Sequence, residues 1–96
     1  MMTAKEANAA TMTRLEVIAK EFILNDVGVP IQRAIDNGKF QVVVDFKKVR
    51  DNANKLGEEV VRQLKEQGYE AKHVYYDGPN GYDNYISIKW EKTDEL

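Results

Sequence analysis

The chain contains no cysteine. That absence excludes disulfides, thiolate nucleophiles and cysteine-ligated zinc or iron–sulfur centres, and it fits a reducing compartment. Histidine occurs once, as His73, and serine once, as Ser87. A lone histidine with no cysteine partner cannot anchor a structural zinc site. Ser87 lies between Ile86 and Ile88, without the flanking glycines of a nucleophile elbow. No apolar run approaches the roughly 18–20 residues of a membrane span. The opening Met1-Met2-Thr3-Ala4-Lys5-Glu6 has no apolar stretch of the kind that begins a secretory signal. Net charge is scarce as well: −2, with a pI near 5.4. The charge balance therefore gives no global attraction to nucleic acid or to an anionic membrane.

What is present is a globular composition. Of 96 residues, 43% are hydrophobic and 31% charged, which argues against disorder and suits one domain rather than two. A domain of this size has a thin stability margin, so a partner chain could complete part of its core.

The patterning predicts five elements. Thr3 and Glu6 have the spacing of a capping box. Leu15, Ile18, Phe22 and Ile23 then recur at helical spacing, so residues 3–37 read as helical. A break is expected near 28–30, where Pro30 lacks an amide donor and restricts Val29. Asn37-Gly38 reads as the C-cap. Residues 39–46 form the clearest strand, with Phe40, Val42, Val44 and Phe46 on one face. A helix over 49–67 carries Val49, Ala53, Leu56, Val60 and Leu64 as its apolar stripe. Gly57 weakens this helix, and a close helix–sheet approach is one reason for a glycine there. Strands at 69–76 and 82–92 flank the turn residues Asp77-Gly78-Pro79-Asn80-Gly81, so they should form an antiparallel hairpin. Ile86, Ile88 and Trp90 face inward and Tyr85, Ser87 and Lys89 outward, and residues 93–96 form a polar tail. The expected fold is α+β, ordered α-β-α-β-β: a three-stranded mixed sheet of order 1-3-2 with helices packed on one face. Its edges would invite pairing with another chain.

No catalytic set can be assembled from these residues, and no metal site or cofactor is expected. His73 reads as a surface or half-buried strand residue. Glu58, Glu59 and Glu66 read as a solvated helix face. The turn at 77–83 does not match a calcium loop. Two features point toward binding instead. Tyr69, Tyr75, Tyr76, Tyr82, Tyr85 and Trp90 fall within 22 positions, and strand alternation must leave some of them exposed. Tyr75, Tyr76, Tyr82 and Tyr85 are therefore the candidate partner-binding residues, because tyrosine offers contact area at low entropic cost; ordinary cross-strand aromatic pairing is the competing explanation. Lys47, Lys48 and Arg50 lie at the start of the second helix, where cations oppose the helix dipole. They would surround an anion bound there, or else be solvated loop residues.

The helix ending Asn37-Gly38, the strand Lys39-Phe40-x-Val42-x-Val44, the helix closing on Gly68-Tyr69 and the run Tyr85-Ile86-Ser87-Ile88-x-Trp90 together resemble small uncharacterised bacteriophage and prophage proteins. The resemblance covers roughly residues 15 to 90. The sequence departs from that pattern at Ala71 and His73, where larger apolar strand residues are usual, and in a longer hairpin turn. The resemblance implies a phage product acting in the bacterial cytoplasm or in the virion, and it implies no activity. The favoured reading is a non-enzymatic interaction protein binding a protein partner, host or phage, or a second copy of itself. The alternatives are a binder of a nucleotide-like anion and a virion accessory protein. A duplex nucleic-acid binder is the least favoured reading.

Overall fold

The computed structural model describes residues 1–49 and 52–91. The elements are α1 (Ala4–Phe22), a π-helical turn (Ile23–Val27), α2 (Gly28–Asp36), β1 (Gln41–Asp45), α3 (Ala53–Glu66), β2 (Glu70–Gly78) and β3 (Gly81–Lys89). Among them no helix is long and apolar enough to cross a membrane.

α1 starts at a reciprocal capping box. The Glu6 amide donates to Thr3 Oγ1 at 3.1 Å, and the Thr3 amide donates to Glu6 Oε1 at 2.9 Å. Its first three turns, through Arg14, are exposed along their whole length; only from Leu15 onward do Leu15, Ala19 and Phe22 bury a face. The interruption expected near 28–30 takes a different form. The helix continues to Asp36, and a π turn just upstream absorbs the proline, with the Gly28 amide reaching back five residues to Ile23 O. Pro30 then sits in the first turn of α2, and the widened turn just before it relieves the clash of its ring with the carbonyl four residues back.

The sheet has the order β1-β3-β2. β1 pairs with β3 through Val42↔Ile88 and Val44↔Ile86, and β2 pairs with β3 from Glu70↔Lys89 to Gly78↔Gly81, both antiparallel. β1 and β2 do run in one direction, as a crossover requires, but β3 lies between them. The sheet expected to be mixed is therefore antiparallel in both of its ladders. The hairpin strands extend to Gly78 and Gly81, leaving only Pro79-Asn80 at the tip. α3 begins at Ala53, later than residue 49, because Asn52 adopts the left-handed conformation at φ 56° and ψ 34°. Lys92 and residues 93–96, expected to end the last strand and form a tail, lie outside the described residues.

α1 and α3 cover one face of the sheet. Leu15, Ala19, Phe22, Val27, Val44, Phe46, Leu56, Val60, Leu64, Ile86 and Ile88 form the continuous core. Phe46 is its hinge point, fully buried, with its ring edge-on to Phe22 at 4.9 Å and to His73 at 5.2 Å. Phe40 keeps the inward phase of β1 but precedes the strand at the sheet's end and stays largely exposed. The opposite sheet face is uncovered: Val43, at its centre on β1, is 61% exposed.

Candidate functional site

Strand alternation divides the four candidate tyrosines. Tyr75 and Tyr82 share the inward phase of Ala71, Ile86 and Ile88, and their rings meet edge-on at 6.0 Å beyond the helices. Tyr76 and Tyr85 take the other phase, on the open face. Tyr76 is 44% exposed and Tyr75 37%, while Tyr82 and Tyr85 are half-buried. The structure thus brings the four together along one hairpin but not onto one surface. The Tyr76 ring folds over Gly78, where a Cβ would stand 2.3 Å from its hydroxyl.

The backbone hydrogen bonds of the sheet define its free edges. The Phe46 amide donates to Asn84 O and the Trp90 amide to Phe40 O. Even-numbered residues of β3 therefore bond toward β1, and its odd-numbered residues toward β2. Through the register, even-numbered residues of β2 bond inward, and the amides and carbonyls of Ala71, His73, Tyr75 and Asp77 point to the outer edge. No described strand pairs with that edge.

Beneath the hairpin lies a polar cluster that the sequence reading did not identify. Asn84 is the fully buried polar residue of the core. Its Nδ2 donates to Phe46 O at 2.9 Å, to Val49 O at 3.1 Å and to the Tyr82 hydroxyl at 3.1 Å. Those carbonyls fix the amide's orientation, so Oδ1 faces His73 Nε2 at 2.7 Å and that nitrogen carries the proton. His73 is half-buried, as expected, and its ring lies directly against Gly57: a Cβ at 57 would fall 2.2 Å from Nδ1. The cluster ties the loop after β1 to the central strand. One signal was available for it: Asn84 shares the inward phase of Ile86 and Ile88. Ser87 lies on the opposite sheet face from His73, so the two do not form a catalytic couple.

The cations proposed around an anion are differently engaged. Lys48 Nζ pairs with Asp26 Oδ1 at 3.1 Å, and the Lys47 amide donates to Asp45 Oδ1 at 2.9 Å. Arg50 lies outside the described residues. On α3, Arg62 bridges Glu59 and Glu66, while Gln63 Nε2 reaches Glu16 O at 3.0 Å on α1. Glu59 is therefore not a solvated face residue. The Arg62 hydrogen bond, aided by Gln63, holds its carboxyl below the usual glutamate range against the opposing effect of burial. Among the described residues no group of three or more histidine and carboxylate side chains converges as metal ligands would.

These features define a small α+β domain with an antiparallel three-stranded sheet, one helix-covered face, one open face and a free outer edge on a tyrosine-bearing hairpin. No known protein family, curated protein or solved structure matches the chain.

Proposed function

We propose that the chain is a non-enzymatic interaction protein that docks a protein partner, or a second copy of itself, through the β2–β3 hairpin and the outer edge of β2. The observation that carries this reading is the nine-residue edge strand β2, whose outward backbone groups at Ala71, His73, Tyr75 and Asp77 have no described strand beside them, while Tyr75 and Tyr76 stand exposed along it. Long edges without a covering element are templates for strand addition. Tyrosines beside the edge supply side-chain selectivity to a contact whose affinity comes from the backbone. The phage-like sequence pattern makes the bacterial cytoplasm the expected setting. There the partner would be a host or defence protein, or a neighbouring virion protein.

Light scattering over a concentration series, joined to hydrogen exchange, tests this. Partner addition or self-association should protect the amides of residues 71, 73, 75 and 77 while the inward amides of β2 stay as they were. Tyr75→Pro removes one outward donor without touching a ladder bond, and it should abolish the association. A strictly monomeric protein that captures no partner, or an association indifferent to Tyr75→Pro, would sink the reading.

A further inference from the structure

α1, the π turn and α2 form one continuous helical rod, and one stripe of that rod is left uncovered by the domain. Ala10, Val17 and Leu24 recur at intervals of seven, with Thr13 and Lys20 between them. That is the spacing of a seam between two paired helices. Val17 is 40% exposed and Leu24 71%. Beyond the π turn, Gly28 and the half-exposed Ile35 continue along the same groove, whose volume is about 1020 Å³ and whose far wall is the end of α3 with Tyr69. In the other direction the rod continues as the first three turns of α1, in which no residue through Arg14 is buried. A helix end that packs on nothing gains no stability from its neighbours and frays. The apolar groove and the unpartnered helix end thus belong to one element.

The charges beside the stripe indicate what covers it. By helical spacing, Arg14 and Glu21 flank Val17 and Leu24 on one side, and Glu16 and Lys20 flank them on the other. None of these four side chains makes an ion pair with another described residue. A second copy's rod laid antiparallel, about a two-fold axis between Val17 and Ile18, sets each flank against the same flank of its mate. Arg14 of each copy then stands level with Glu21 of the other, and Lys20 of each with Glu16 of the other. One axis satisfies both flanks. A parallel pair would instead set Arg14 level with Arg14 and Lys20 level with Lys20. The antiparallel register also lays Ala7 against Gly28 and Ala10 beside Leu24, so the small side chains of the exposed end meet the groove. We infer that this stripe is the contact of a two-fold symmetric, antiparallel helix dimer, in which the first turns of α1 of each copy lie in the groove of the other. Such a contact is self-complementary and closes at two copies. It is separate from the outer edge of β2, so each copy in the dimer keeps its hairpin free.

Light scattering on the full chain over a concentration series should read twice the 11.0 kDa of one copy. Leu24→Glu puts a charge into the seam at an exposed position and should raise the dissociation constant at least about thirtyfold. Arg14→Glu and Glu21→Arg each set like charges together, and each alone should weaken the dimer about tenfold. Mixed in equal amounts, those two variants restore opposite signs and should form a heterodimer of near-parental affinity. The chain has no cysteine, so single thiols report geometry cleanly. Val17→Cys, beside the axis, should cross-link on oxidation, whereas Ala10→Cys, about 22 Å from its counterpart, should not. Circular dichroism confirms that each variant is folded. The inference is overturned by a monomer at every concentration up to millimolar, by a dimer that survives Leu24→Glu, by charge variants that stay monomeric when mixed, or by cross-linking at residue 10 as readily as at 17. A dimer that dissociates with Tyr75→Pro instead would overturn it and assign self-association to the β2 edge. In the Leu24→Glu background any remaining association reports on that edge alone, so failure of either reading is told from failure of the other.

Discussion

Gly57→Ala should destabilise this protein even though it places the best helix former in the middle of a helix. In a solvent-facing helix the change would stabilise by about 1 kcal/mol. Here the new methyl would fall 2.2 Å from His73 Nδ1 and 2.6 Å from Cγ and Cε1, so the ring must leave its place. Leaving breaks the 2.7 Å bond to Asn84 Oδ1, an acceptor on a fully buried side chain. An unsatisfied buried acceptor costs about 1–3 kcal/mol, and the displaced packing costs a similar amount. Against the propensity gain, the net loss is about 2–3 kcal/mol. Urea denaturation would read this as a lower midpoint at unchanged slope. Thermal unfolding would shift down by about 8–20 °C for a domain of this length. The decisive assay is the double-mutant cycle with His73→Ala. Once the ring is gone the methyl has room, so Gly57→Ala should be neutral or stabilising in that background. If Gly57→Ala is harmless in the parent, or equally harmful in both backgrounds, the reasoning fails.

Asn84→Ala leaves Phe46 O and Val49 O without their side-chain donor and should cost about 2–4 kcal/mol; limited proteolysis should then cut first in the loop after β1. Phe46→Ala removes the ring shared by Phe22 and His73 and should cost about 3–5 kcal/mol, enough to abolish the cooperative transition of a marginal domain. Because Glu59 titrates lower in the folded chain than in the unfolded one, the Arg62 contact stabilises above the unfolded value, and that stabilisation disappears as pH falls through the folded value. Arg62→Met should therefore narrow the stability difference between pH 7 and pH 3, as measured by urea midpoints. Lys48→Ala should cost less than about 1 kcal/mol and only at low salt, since its pair with Asp26 is largely exposed.

The parts of the fold that follow from local periodicity are legible in the sequence. The α3 stripe from Ala53 to Leu64, the inward Ile86 and Ile88, and the central place of the last strand all come from one-dimensional patterns, and the structure has each of them. What the sequence hides depends on distance along the chain. Gly57 is visible as a close approach, but its partner His73 appears only once β2 is in register beside α3. The π turn sits upstream of the proline that provokes it, because relief of the clash falls on the preceding carbonyls. The cations lining the groove between α2 and the open sheet face come from α2 (Arg33), the turn before β1 (Lys39), β2 (Lys72) and β3 (Lys89), whereas a search for clustered charge stops at Lys47, Lys48 and Arg50. The tyrosines were legible as a group but not by face, since the split of Tyr75 and Tyr82 from Tyr76 and Tyr85 follows from the phase of two strands together.

The placement of β3 between β1 and β2 also governs how the fold can be taken apart. Without residues 81–89 the remaining strands run parallel to one another across an empty slot about 10 Å wide, two strand spacings, and neither can reach the other. No two-stranded remnant spans that gap, so the sheet is lost as a unit rather than frayed from one side. The same slot presents two edges of matching direction and a floor formed by Phe46, Val60 and Leu64. A peptide carrying Ile86, Ile88 and Asn84 supplies the missing ladders, core side chains and amide rivet in a single segment. Cleavage at Pro79-Asn80 should therefore leave a fragment that forms its sheet only when a peptide of residues 81–91 is added back, an outcome circular dichroism would read.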